Sequence, residues 1–245
     1  VEIDKWIISE AIKLHEEVQK LNDNYAYHHV IQKIHNFCVH ELGGVYLDII
    51  KDRMYVTKSN SYARRSAQFA LFEVAEILIR LISPILVFTA EEIWQSHELF
   101  KKQSVSIFMA SQKLLSEIES SISDEDWKKI FAVKDAVNQS IEKARADSVI
   151  KGSLDSKISI SCDKKTFKAL QKIEDELKFV FISSEVEIAE SSSSGLDIEV
   201  TNFDQKKCIR CWNKCSSVGL YAEDPEICSR CYTNIYGDGE IRKFV

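Results

Sequence analysis

Along residues 3–22 the apolar positions Ile7, Ala11, Leu14, Val18 and Leu21 recur at three- and four-residue steps, with Glu10, Lys13, Glu16, Glu17 and Lys20 between them. That is the period of an amphipathic helix. Asn22-Asp23-Asn24 ends it. A second helical face follows in Tyr27, Val30, Ile31, Ile34, Phe37, Cys38 and Leu42, which Gly43-Gly44 is expected to stop or kink. Cys38 lies on that apolar face and reads as a small buried hydrophobe. Lys58–Tyr62 reads as a loop and cap before the strongest helix, 63–82, whose expected buried stripe is Leu71, Val74, Ala75, Leu78 and Ile82. Pro84 disfavours helical backbone at Ser83, so a break is expected before a further helix holding Ile85, Phe88 and Trp94.

From 96 to 121 the period is lost. It resumes after Ser123, where Asp124, Glu125 and Asp126 suit the positive end of a helix carrying Trp127, Ile130, Phe131, Val137 and Ile141. Past Gly152 the period becomes two: Ile158, Ile160 and Cys162 alternate with Lys157, Ser159 and Ser161, as in a half-buried strand. A helix with Phe167, Leu170, Ile173 and Leu177 follows, then short strands near 179–182, 186–189 and 196–200. Ser191–Gly195 reads as a flexible loop or hairpin tip. The fold class is therefore mainly α: an antiparallel helical bundle (1–152), a small α+β subdomain (153–205) and a C-terminal knuckle module (206–245).

Composition changes this picture little. Two prolines and seven glycines among 245 residues agree with a helical chain, and 45% hydrophobic with 29% charged residues is ordinary for a soluble globular protein. Neither a signal peptide nor a membrane span is expected, because the most apolar stretch, 69–88, contains Glu73, Glu76, Arg80 and Pro84. The net charge of −6 does not announce a polyanionic partner. Residues 206–245 hold seven basic and five acidic side chains, against 25 and 33 in the rest. Any face for a nucleic acid must come from local placement of Arg and Lys.

The candidate chemistry lies in Cys208-Ile209-Arg210-Cys211, sixteen residues, then Cys228-Ser229-Arg230-Cys231. A two-residue gap lets one tight turn present two sulfurs to one metal ion, and the second pair completes four ligands. Four thiolates leave no open position for water, so Cys208, Cys211, Cys228 and Cys231 predict one structural Zn2+ and not a catalytic one. Cys215 is left as a spare thiol. Seven cysteines used this way suit a reducing cytoplasm. Five histidines between 15 and 40 lack ligand spacing and read as surface or core-edge groups. Asp48 and Asp52, beside Lys51 and Arg53, read as a solvated charged face. No phosphate loop, dinucleotide fingerprint or nucleophile elbow occurs. The chain by itself reads as a binding module.

The tail motifs Lys207-Cys208-Ile209-Arg210-Cys211-Trp212, Ile227-Cys228-Ser229-Arg230-Cys231 and Gly237-Asp238-Gly239-Glu240-Ile241-Arg242-Lys243-Phe244 resemble the C-terminal zinc module of bacterial-type isoleucyl-tRNA synthetases, of class I. Upstream, 34–38, 46–55 and 83–94 resemble that family's anticodon-binding bundle, and 143–154 its passage into the C-terminal subdomain. The helical motifs are shared with valyl and leucyl enzymes; the four-cysteine tail favours isoleucyl. Asn213 stands where the family pattern leads one to expect His.

The resemblance implies a partner, isoleucine tRNA, bound chiefly through its anticodon region by a monomeric cytoplasmic enzyme. It also implies that ATP and Mg2+ act in a catalytic half outside this sequence, since neither HIGH nor KMSKS occurs here. The chain alone is then expected to be catalytically inactive. Splayed anticodon bases are read by stacking planes and hydrogen-bonding edges. Trp212 is the expected stacking residue, with Arg210 and Arg230 on phosphate or base edges and Arg53, Tyr55, Arg64 and Arg65 as bundle contacts. The competing reading of Trp212 is a residue of the module's small core. Two other readings stay open: a zinc-containing protein–protein adaptor, and the equivalent region of a valyl or leucyl enzyme.

Overall fold

The computed structural model describes residues 1–111, 118–191 and 195–245. Among the described residues the protein is mainly helical, with one three-stranded sheet and one four-cysteine cluster. Helix α1 (Glu2–Asp23) buries Ile7, Ala11, Leu14 and Val18 of the expected stripe, but also Ile3, Trp6, Ile8 and Ile12, while Leu21 is only half-buried. Helix α2 (Tyr27–Phe37) buries Val30, Ile34 and Phe37.

Of the two outcomes expected at Gly43-Gly44, a stop or a kink, the stop does not occur and the helical geometry changes instead. A π-helical stretch, Cys38–Leu47, leads directly into α3 (Asp48–Val56). Its i−5 geometry crowds the preceding carbonyls: a Cβ on Gly43 would lie 2.9 Å from the Cys38 carbonyl oxygen. The glycines therefore admit the turn and do not terminate it. Cys38 itself is exposed, because the stretch does not continue the α2 face.

Helix α4 (Tyr62–Ile82) starts at Ser61, whose hydroxyl accepts from the Arg64 amide at 3.2 Å. Its buried face runs Ala63, Ala67, Ala70, Val74, Ile77 and Leu81. Only Val74 is shared with the expected stripe. Alanine carries a weak hydrophobic signal, yet it lets another backbone come close, so small residues mark the face that is covered most fully. Helix α5 (Val87–Ser96) buries Ala90 and Trp94, one helical turn apart. Phe88 is 90% exposed and Ile85 is exposed too, contrary to expectation. Phe88, two residues before Ala90, falls on the opposite side of so short a helix.

By compactness the chain resolves into two units. The first comprises Ile3–Asp48 and Ser66–Ser120; the second comprises Val1–Glu2, Ile49–Arg65 and Ser121–Val245. This partition differs from the sequence division at 152 and 205. In the first unit the buried Tyr46 hydroxyl donates to Asp4 at 2.8 Å. Trp94 stacks on Phe100 of α6 (Glu98–Lys101) at 5.1 Å and donates its indole N–H to the Ser104 carbonyl at 3.0 Å. Glu76 is fully buried and accepts from Arg80 at 2.8 Å. Residues 112–117, within the stretch that lost its period, lie outside the described residues.

In the second unit α7 (Asp124–Ala146) is capped by Ser123, which accepts from the Asp126 amide at 3.2 Å. Its buried stripe includes Trp127, Ile130, Val137 and Ile141, and it packs on the sheet and on the next helix. Strand β1 (Ser156–Cys162) alternates buried and half-buried residues. Helices α8 (Lys164–Gln171) and α9 (Leu177–Val180) follow, so 179–182 is not a strand: buried apolar runs this short do not distinguish the two. Strand β2 (Glu185–Glu190) pairs parallel with β1, and β3 (Asp197–Asn202) pairs antiparallel with it on the other side. The order β2–β1–β3 excludes a β2–β3 hairpin. Of the Ser191–Gly195 run, residues 192–194 lie outside the described ones. Both edge strands are acidic, with Glu185, Glu187 and Glu190 on β2 and Asp197 and Glu199 on β3. Helix α10 (Ser229–Tyr236) completes the elements.

Candidate metal centre

The first cysteine pair sits in a narrow loop closed by a bridge between Lys207 and Lys214 and by two backbone bonds at 2.9 Å, Cys208 N–H to Asn213 and Trp212 N–H to Cys208. The second pair opens α10, with Cys228 at the cap and Cys231 in the first turn. The helix's positive end there favours thiolate over thiol. The sixteen-residue connection is fastened to α10 by aromatic rings. Tyr221 stacks on Tyr232 at 3.8 Å, and the hydroxyls of Tyr232 and Tyr236 donate to Glu223 and Asp224.

All four Cys208, Cys211, Cys228 and Cys231 side chains are buried, and their sulfurs lie within 4.8 Å of one another. The Cys208–Cys231 and Cys211–Cys228 sulfurs are each 3.7 Å apart. A tetrahedral ion at about 2.3 Å from each sulfur requires edges of about 3.8 Å, so the cluster fits one Zn2+. The four cysteines are thus positioned to bind a single metal ion. Cys215 stays outside this set, half-buried beside the Ser217 hydroxyl. Val56 of α3, Val218 and Ile227 enclose the sulfurs in one apolar cluster.

The other sequence-selected side chains separate by exposure. Trp212 is 62% exposed and does not pack the module's core. Its φ of 64° is left-handed, a conformation costly for a bulky L residue. Tyr55 is 80% exposed, Arg65 is exposed and bonds Asn60 at 3.3 Å, and Arg64 and Arg210 are half-buried. Arg53, in contrast, is 1% exposed. Arg230 makes a two-pronged pair with Asp52 at 2.6 and 2.8 Å. Asp52, expected on a solvated face, is therefore an internal partner, and it also accepts from Arg242 at 2.8 Å.

Sequence reading missed this charged cluster. Arg242 donates to Glu240 at 3.0 Å and stands 3.1 Å from the Phe179 ring centroid. Asn234, also buried, accepts from the amides of Lys58 and Glu240. Glu176 accepts from three successive amides, Lys243, Phe244 and Val245, at 2.7, 3.0 and 2.7 Å. Its one available signal was the crowding of Arg230, Glu240 and Arg242 beside the cysteines.

Comparison with known proteins agrees with both parts of this architecture. A family model described as the anticodon-binding domain of tRNA ligase matches residues 4–160. The chain belongs to that family. A second model, a zinc finger found in FPG and IleRS, matches residues 205–234 and so contains all four cysteines. Among curated relatives, the isoleucine–tRNA ligase of Alcanivorax borkumensis is 42% identical over 255 residues. Those of Ruthia magnifica and Pseudoalteromonas translucida are 40% and 41% identical. These alignments take in 99%, 100% and 100% of this chain, which spans 27% of the length of each relative.

Proposed function

We propose that this chain is the part of an isoleucine–tRNA ligase that holds the anticodon region of isoleucine tRNA. Residues 1–152 act as the anticodon-binding bundle, 153–205 as a connecting subdomain and 206–245 as the zinc module. The parent enzyme joins isoleucine to its tRNA with ATP and Mg2+ in a catalytic portion that these residues do not supply, and the chain alone is inactive in pyrophosphate exchange. The enzyme works as a monomer in the cytoplasm; among the described residues no helix is long and apolar enough to cross a membrane.

The observation that carries this reading is Trp212. A large aromatic residue in left-handed backbone, exposed and anchored next to a metal cluster, is a fixed plane offered to a base. Tyr55, Arg65, Arg64 and Arg210 remain as contacts. Arg53 and Arg230 serve the interior. Family membership favours RNA over the adaptor reading, and the named relatives favour isoleucine over valine or leucine tRNA. The test is binding of the zinc-loaded chain to isoleucine tRNA and to the same tRNA with its anticodon replaced. Preference for the authentic anticodon is expected. Equal, salt-sensitive binding to both would remove anticodon reading and leave phosphate contacts alone.

A further inference from the structure

Each cysteine pair has an arginine just before its last cysteine, Arg210 in the first and Arg230 in the second. Arg230 stands in the first turn of α10 between Cys228 and Cys231, and Arg210 stands between Cys208 and Cys211 in the first loop. Four thiolates around Zn2+ carry a net charge of −2, and two guanidinium groups are the matching counter-charge. The two arginines are anchored differently. Arg210 has an Nη1 atom that is buried without a hydrogen-bond partner. Arg230 is gripped on its far side by Asp52 at 2.6 and 2.8 Å and touched by Glu240 at 3.3 Å.

Asp52 is the hub of this arrangement. Its carboxylate holds Arg230 and Arg242 together, two like charges that only a shared anion allows so close, and Glu240 bonds both as well. The exposures of these four side chains run from 2% to 21%, so solvent screens the network weakly. Asp52 also lies one helical turn from Val56, which belongs to the apolar cluster around the sulfurs. Helix α3 therefore meets the cysteine module twice: through the apolar Val56 side chain among the sulfurs, and through the Asp52 carboxylate on Arg230, the residue next to Cys231.

We propose that Asp52 is a positioning residue for the metal centre, acting through Arg230, so that metal occupancy and the seating of α3 are energetically linked. Groups that orient a metal ligand from behind change metal affinity when removed, and linkage is reciprocal: whatever α3 contributes to the metal, the metal contributes to α3. The inference rests on the metal reading of the four cysteines, and its test uses no RNA.

Zinc affinity is measured by chelator competition, alongside amide hydrogen exchange across α3 with and without the metal. Asp52→Asn should bind zinc several-fold more weakly, less than the about 10–100-fold lost when a partner bonded directly to a ligand is removed. Glu240→Gln, which leaves α3 unaltered, should give a smaller loss, and Asp52→Glu a partial rescue. Ile160→Val, in the β1 core and 2% exposed, should lower stability without changing zinc affinity. Chelation should speed exchange at 51–56 in the parent chain and much less in Asp52→Asn. Unchanged zinc affinity in Asp52→Asn, or an equal loss in Ile160→Val, overturns the linkage. A parent chain that binds no zinc overturns the metal reading and the inference together.

Discussion

Replacing Trp212 by alanine and, separately, by glycine distinguishes a contact residue from a packing residue. Both substitutions remove the ring. They differ at the backbone, because φ is 64° there. An L side chain in left-handed backbone costs about 1–2 kcal/mol, which alanine still pays. Glycine escapes that cost but forfeits about 0.5–1 kcal/mol through its freer unfolded chain. Trp212→Gly should therefore be more stable than Trp212→Ala by up to about 1.5 kcal/mol, read as denaturation midpoints of the zinc-loaded proteins. Both should lose the same RNA affinity. One stacked base is worth about 1–3 kcal/mol, or about 5–150-fold in Kd, read by fluorescence anisotropy at a fixed salt concentration. If RNA affinity instead tracked stability, with glycine binding better than alanine, the ring would be a structural element and the stacking argument would fail. If glycine proved the less stable of the two, the left-handed backbone argument would fail.

Three further outcomes follow from the helices. Ser123→Ala removes the α7 cap and should cost about 1 kcal/mol in urea denaturation; no change would mean another group accepts from the Asp126 amide. Glu76→Ala removes the fully buried acceptor of Arg80, which keeps the Ser111 carbonyl at 2.8 Å and Gln103 at 3.0 Å, and should cost about 1–3 kcal/mol, with a loss near zero refuting the pair's importance. Asp163 caps α8, and bonds first from the Thr166 hydroxyl and then from backbone amides hold its carboxyl below the usual range. The folded chain thus binds fewer protons there. The contribution is fully present above the ordinary carboxylate pKa of about 3.9 and is lost as pH falls through the lower folded value. Asp163→Asn keeps a capping acceptor and should flatten that part of the acid stability curve, measured as melting temperature against pH.

How far each feature could be read from sequence depended on how local its cause is. The cysteine spacing is local, and it located the metal cluster residue by residue. The α1 and α7 stripes were plain in the main, since branched and aromatic side chains mark their buried faces, although Leu21 and Phe131 are only half-buried and α1 also buries Trp6, Ile8 and Ile12. Helix α4 was legible as a helix but not by its face, because Ala63, Ala67 and Ala70 scarcely register as apolar. The placement of β3 across β1 was not legible, since nothing in a serine-rich connection states which edge the next strand takes. The charged residues were the least legible. Arg53, Tyr55, Arg64 and Arg65 look alike in a helical sequence, and only tertiary packing separates the buried Arg53 from the exposed Tyr55. Asp52 looked solvated because its partners, Arg230 and Arg242, come from far along the chain.

The acidic strands that flank β1 give the chain's negative total a use. Glutamates on β2 and acids on β3 occupy both edges of the sheet, so neither edge invites another strand to extend it. The same carboxylates repel a polyanion over a distance of about 8 Å at physiological salt. The surplus of negative charge thus works as a fence that keeps the sheet at three strands.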